Sequence, residues 1–297
     1  MKDLILATSF GYTYEQLRPF LCSLKETAFD GEIVLFIGNT NRATKQRLRA
    51  EGVKLIPFFY PYKRAHKMRN PLYRVWPWVR GFFADIESPE TLATLSAPFH
   101  NISTLRYLLY HRFLKSRPDQ YGSIFLTDLR DVCFQRSPFV EAQPKMLRFY
   151  VEEPPFTVRT CPNNSRWIRE FFGEEALREI GDNPIICSGT TLGDYRSIVD
   201  YLERFIVTFR RALSIMRVGA DQGIHNYLAR TALASVITLC PNRGSEVLTM
   251  GLMPRDEKFA RNERGQLVDP QGTPYAVLHQ FDRHEALNQE ILERYRV

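Results

Sequence analysis

The residues best placed to do chemistry lie in the stretch Ser123-Ile124-Phe125-Leu126-Thr127-Asp128-Leu129-Arg130-Asp131-Val132. The apolar run Ile124 to Leu126 reads as a buried strand, and it stops at two carboxylates with Arg130 between them. In open α/β sheets, ligands bind just beyond the carboxyl ends of strands. Hard carboxylate oxygens there suit Mg²⁺ or Mn²⁺ carrying a phosphate. The alternative is an Asp-rich turn whose carboxylates cap the next backbone amides. The two readings separate on whether other polar residues converge on the same place.

Three further stretches offer such residues. Pro184 to Thr191 is an apolar strand ending in small hydroxylated residues, Ser188 among them, which allow a polar ligand to approach closely. Val218 to Leu228 starts a helix with Asp221 and Gln222 in its first turn. A helix N-terminus welcomes anions or hydroxyls, although Asp221 could serve only to complement the helix dipole. Ala276 to His284 is a strand delivering His279. A lone histidine is more often structural than a ligand, but two carboxylates awaiting a third donor make His279 a metal-ligand candidate.

The elements that must position these groups follow from hydrophobic spacing. Asp3 to Ser9 reads as a strand running into Phe10-Gly11-Tyr12-Thr13. A helix follows, with Leu17, Phe20, Leu21 and Leu24 on one face and Thr13 as its N-cap. Glu32 to Ile37 is a second strand, Arg42 to Glu51 a surface helix ended by Gly52, and Val53 to Phe59 a third strand. Connections of this length in β-α-β-α-β order imply parallel strands. Ile102 to Leu114 is a helix carrying Arg106. Leu147 to Val151 reads as a strand, Trp167 to Phe172 and Glu175 to Ile180 as helices, and Arg255 to Pro274 as an exposed hairpin or loop. Neither G-x-G-x-x-G nor a P-loop motif occurs.

Between Tyr60 and Phe83 basic and aromatic residues interleave, among them Tyr62, Lys63, Arg64, Lys67, Arg69, Arg74, Trp76, Trp78 and Arg80. Such a surface could stack on sugars or bases or lie on an anionic bilayer. An ordinary amphipathic helix with aromatics inward and bases outward reads the same way.

At 297 residues the chain can bury one large α/β core, and its 44% apolar and 25% charged residues are ordinary for a globular protein. A net charge of +7 favours anionic partners. The five cysteines are scattered, with no C-x-x-C pair, which argues against a disulfide framework or thiolate zinc site and fits a reducing compartment. No basic n-region with a long h-region opens the sequence, and no apolar run approaches the roughly 18 residues of a membrane span. The expectation is a cytosolic protein, at most peripheral to a membrane.

The order of these motifs resembles GT-A fold glycosyltransferases, especially the retaining, glycogenin-like group. The resemblance rests on Arg106, on Asp128 to Asp131, on Cys187-Ser188-Gly189, on Gly219-Ala220-Asp221-Gln222-Gly223-Ile224-His225-Asn226 and on His279. It spans nearly the whole chain and is most specific at Gly219 to Asn226. It implies a mainly parallel mixed sheet flanked by helices, with nucleotide bound by residues 1–140 and sugar and acceptor by 141–297. It implies Mn²⁺ or Mg²⁺ on Asp131 and His279 with Asp128, and a UDP- or GDP-sugar held by Thr8, Ser9, Phe10, Tyr12, Arg106, Arg130, Ser188 and Gly189. Asp221 and Gln222 would act on the sugar or acceptor. Two features depart from the family pattern. The spacing is D-x-x-D, which puts Leu129 where the first aspartate belongs and leaves Asp128, one position displaced, as either a metal ligand or a group for ribose or sugar hydroxyls, and Cys187 stands where asparagine is common.

Two other functions share parts of this pattern. A sugar-phosphate nucleotidyltransferase should carry a Gly-rich, lysine-bearing loop after the first strand, and Ser9-Phe10-Gly11-Tyr12 is not one. A non-catalytic module binding nucleic acid or acidic membrane through Lys63 to Arg80 would lose nucleic-acid affinity steeply with salt and bind no nucleotide sugar. Nucleic acid is not the expected partner.

Overall fold

A computed structural model describes residues 1–60, 78, 81–83, 85–139, 146–208 and 219–296. Most of the basic-aromatic stretch, including Arg74, Trp76 and Arg80, lies outside these residues.

The first strand, β1 (Lys2–Phe10), is apolar on both faces, and Leu4 to Ala7 are fully buried, as a strand flanked by parallel neighbours requires. Helix α1 (Tyr14–Glu26) follows. Its N-cap is Thr13, whose backbone N–H donates to Gln16 Oε1 at 3.0 Å. Then come β2 (Glu32–Gly38), α2 (Arg42–Ala50) and β3 (Lys54–Pro57). Strand β3 is shorter than the expected Val53 to Phe59, because the chain leaves the ladder after Pro57. The last bond, Phe58 N–H to Ile37 O, is 3.1 Å.

Helices α3 (Pro89–Ser96) and α4 (Ile102–Lys115) lead to β4 (Tyr121–Thr127) and the short β5 (Val132–Phe134). Next are β6 (Leu147–Val151), α5 (Pro162–Phe172), α6 (Glu174–Ile180), β7 (Ile186–Asp194) and α7 (Tyr195–Thr208). The chain ends with α8 (Ala220–Arg230), β8 (Thr238–Cys240), β9 (Val247–Thr249), β10 (Val277–His279) and α9 (Glu285–Arg294).

A seven-stranded sheet runs in the order β3-β2-β1-β4-β7-β6-β8, with only β7 antiparallel to its neighbours. Strands from both halves of the chain therefore share one sheet. Helix α4 packs on the same apolar cluster as α7 and α8, through Leu105, Leu108, Phe205 and Ile224. On the other face α1 buries Leu17, Phe20 and Leu24. A small sheet, β5-β10-β9, sits beyond the end of β4 and shares that second cluster through Val132, Phe134 and Val277.

Two expectations about strands need correction. The strand expected over Pro184 to Thr191 begins two residues later, at Ile186, and runs on to Asp194. Because β7 is antiparallel to β4, its first residues, not its last, lie beside the carboxyl end of β4. The expected strand Ala276 to His284 is a three-residue strand, after which Gln280 adopts φ +60° and a 3₁₀ turn, Phe281–Arg283, follows. No helix among the described residues is long and apolar enough to cross a membrane.

Candidate active site

At the carboxyl ends of β1 and β4 lies a cleft of about 580 Å³. Its walls include Thr8, Phe10 and Tyr12 from the first strand and the turn after it, Arg106 from α4, and Asp128, Arg130 and Asp131 from the β4–β5 link. Ser188 and Gly189 of β7 and Asp221 and Gln222 of α8 complete it. Ser9 is the exception among the residues assigned to the nucleotide. It is fully buried and, one residue from both Thr8 and Phe10 on a pleated strand, points away from their face. A larger depression of about 860 Å³ along α7 and α8 shares no lining residue with the cleft.

Asp128, Asp131 and His279 offer ligand atoms that all lie within 4.8 Å of one another. Asp128 is held at the strand end by its backbone N–H, which donates to Gly189 O at 2.7 Å. Asp131 is held from the other side, its carbonyl accepting from Gln280 N–H at 2.7 Å. His279 is fully buried, and its Nε2 lies 3.4 Å from Asp128 Oδ2 without hydrogen-bond alignment. The departure in spacing is thus absorbed: Asp128 joins the cluster, while Leu129 is buried against the apolar core.

Gly189 makes the convergence possible. A Cβ there would stand 2.5 Å from His279 Nε2 and 2.7 Å from Asp128 Oδ2, so any side chain would fill the space between the two ligands. Two carboxylates, one imidazole with an orphaned buried nitrogen and a cradle free of side chain fit Mn²⁺ or Mg²⁺. A second group, Glu90, His111 and Glu203, also clusters. Lys115 Nζ stands 3.1 Å from Glu203 and 3.5 Å from Glu90, so a fixed cation already pairs with both carboxylates.

Electrostatics favour positive charge among Asp128, Asp131 and His279. Burial would raise Asp128, but Arg106 and His279 override it and hold the carboxyl well below the usual range. Asp131 is raised, by burial and by the neighbouring carboxylates Asp128 and Asp282. Burial opposes a proton on His279, yet Cys187, Asp128 and Asp131 outweigh it and hold the imidazole well above its ordinary value. A cation bound here would displace that proton.

Arg106 links Asp128 to Asp221 and Ser188 across the cleft. One nitrogen contacts Asp128. The other donates to Asp221 Oδ2 at 3.0 Å and to Ser188 O at 3.1 Å. Ser188 Oγ lies 3.3 Å from the same Asp221 oxygen. Gln222 Nε2 donates to Glu152 Oε1 and to Asn164 Oδ1, each at 3.1 Å. Arg130, partly exposed, pairs with Asp282 at 2.7 Å.

Glu152, Asn164 and Trp167 were not marked by sequence reasoning. Glu152 carries a usable signal, a carboxylate directly after the strand ending at Val151, the same strand-end logic that marks Asp128. Asn164 and Trp167 lie on α5 and reach Gln222 and Gly219 only through the fold.

No protein-family model and no curated protein sequence matches the chain. Among solved structures, an active-site mutant of LgtC is similar over 99% of this chain and 93% of its own, at 14% identity and a TM-score of 0.50. The galactosyltransferase LgtC in complex with donor and acceptor sugar analogs aligns over the same shares at 15% identity and a TM-score of 0.49. The first match does not single out the glycogenin-like group. With the mostly parallel seven-stranded sheet flanked by helices, it shows that the chain has the GT-A fold.

Proposed function

We propose that the chain is a metal-dependent glycosyltransferase that moves a sugar, a hexose, from UDP- or GDP-sugar to an acceptor hydroxyl with retention. The observation that carries this reading is the meeting of Asp128 and Asp131, which line the cleft, with the buried His279. A divalent ion held there would supply Lewis-acid neutralisation of the diphosphate leaving group. Residues 1–140 would hold the nucleotide, with Thr8, Phe10 and Tyr12 against base and ribose, and Arg130 and Arg106 adding positive charge near the phosphates. Residues 141–297 would hold sugar and acceptor.

Inversion would require a carboxylate free to take the acceptor's proton. Asp221 is not free: its Oδ2 is already engaged by Arg106 and Ser188. That supports Asp221 as the group that orients sugar hydroxyls. Gln222, its amide nitrogen committed to Glu152 and Asn164, keeps its carbonyl oxygen for the substrate. In this reading the leaving phosphate takes the acceptor's proton.

The acceptor, or an anionic membrane surface bearing it, would meet the basic-aromatic stretch, beside which Phe59, Trp78 and Phe82 are exposed. The five free cysteines support a cytosolic setting.

Asp131→Ala tests the central claim. Calorimetric titration with UDP and with GDP in Mn²⁺ should show metal-dependent binding of one of them to the native protein and none to the variant, with the melting temperature little changed. Equal metal-dependent binding by the variant rejects the assignment.

A further inference from the structure

We infer that Cys187 is a positioning residue for the cation site, its sulfur accepting the Nδ1–H of His279 so that Nε2 is presented as a lone pair between Asp128 and Asp131. The inference rests on the metal-dependent reading above and adds to it a residue that acts through His279.

Cys187 Sγ lies 3.7 Å from His279 Nδ1, within reach of a sulfur hydrogen bond, and both side chains are buried. The other ring nitrogen faces Asp128 and has no hydrogen-bond partner. A neutral imidazole carries one N–H, and whichever nitrogen holds it cannot bind a cation. Metal-binding histidines are therefore set by the partner of the nitrogen that is not ligating, and that partner is most often a carboxylate or a backbone carbonyl. Here the only side chain recorded against Nδ1 among the described residues is the thiol.

The backbone places the sulfur as firmly as the ligands. Ile186, the residue before Cys187, is gripped by Asn226 through two hydrogen bonds, its N–H to Asn226 Oδ1 at 2.9 Å and its carbonyl from Asn226 Nδ2 at 2.7 Å. Gly189, two residues on, accepts the Asp128 backbone N–H. The strand that brings Gly189 between the ligands thus also brings Cys187 behind the imidazole. A thiol can donate or accept weakly, and the accepting arrangement is the one that leaves Nε2 free for a cation.

The test uses Mn²⁺ alone, with affinity read from the electron paramagnetic resonance signal of the free ion, on the native protein and on Cys187→Ala, Cys187→Ser and Asp131→Ala. Cys187→Ala should weaken Mn²⁺ binding by tenfold or more, on the scale of lost partners to metal-ligating histidines. Cys187→Ser, which keeps a hydroxyl acceptor, should recover most of that loss. Rescue by serine separates a hydrogen-bonding role from a packing role, since serine fills the site less well than cysteine. In ¹⁵N-histidine-labelled protein with Mg²⁺, His279 should show its proton on Nδ1.

Native-like Mn²⁺ affinity in Cys187→Ala, or a proton found on Nε2 of native His279 in Mg²⁺, overturns the inference. If Asp131→Ala abolishes Mn²⁺ binding while Cys187→Ala leaves it intact, this inference alone fails. If Asp131→Ala also binds Mn²⁺ as the native protein does, the metal-dependent reading fails and takes this inference with it.

Discussion

Glu152 shows how one carboxyl can be tied to the chemistry without being a ligand. Burial raises it to about 7, only partly opposed by His279 and by the Gln222 hydrogen bond. An acid whose folded value lies above its unfolded one contributes stability at low pH, and loses it as pH rises through the folded value. With a folded value of about 7 against an ordinary 4.5, the loss is on the order of 3 kcal/mol, complete by about pH 8. Glu152→Gln keeps the oxygen that accepts from Gln222 and removes the titration. Urea unfolding without metal should find the variant equal to the native protein near pH 4.5 and more stable by about 3 kcal/mol at pH 8. A gap that does not widen with pH would contradict the burial account. The same substitution should leave Gln222 in place, so binding of UDP or GDP should change little.

Helix α8 explains why its opening sequence was the most specific one in the chain. Gly219, at φ +91°, turns the chain into the helix against the Trp167 ring, where a Cβ would clash. Asp221 and Gln222 then face the cleft, Gly223 lies against Phe171, and Asn226 clamps Ile186. Only the acid and the amide were legible as chemistry. The two glycines and Asn226 are structural, and sequence spacing cannot tell a clamp from a ligand. Asn226 satisfies one donor and one acceptor on β7, and that pair of bonds sets the register of Asp221 against Ser188. Asn226→Asp keeps the shape but turns an oxygen toward the Ile186 carbonyl and buries a charge. Chemical denaturation should show a loss of roughly 3 kcal/mol or more. UDP or GDP binding in Mn²⁺ should weaken even where the variant is fully folded. A loss under about 1 kcal/mol would mean that the clamp carries little of the attachment of α8.

At the scale of the molecule, the parallel β1-α1-β2-α2-β3 start and the strand ending at Asp128 were legible because long apolar runs and helical spacing are local signals. The reversed direction of β7 and the sheet β5-β10-β9 were not. Its strands are three residues long, and Val132 pairs with His279 from half a chain length away. Nothing in a three-residue segment announces so distant a partner. That hidden sheet is nonetheless what completes the site, because Asp128 hangs from the large sheet while Asp131 and His279 belong to the small one. An ion gripped by all three would tie the two sheets together, and its stabilisation should appear in both. At free Mn²⁺ of about 100 times its dissociation constant, linkage supplies about 2.7 kcal/mol, or roughly 5 °C in melting temperature for a chain of this size. Chelation should remove the increment, and Asp131→Ala should never show it. Hydrogen exchange should slow on Mn²⁺ addition at Val277 to Gln280 and at Asp128 to Val132 together. Protection confined to one of these segments would mean that the cation sits on one sheet alone, and that Asp128 and His279 do not share it.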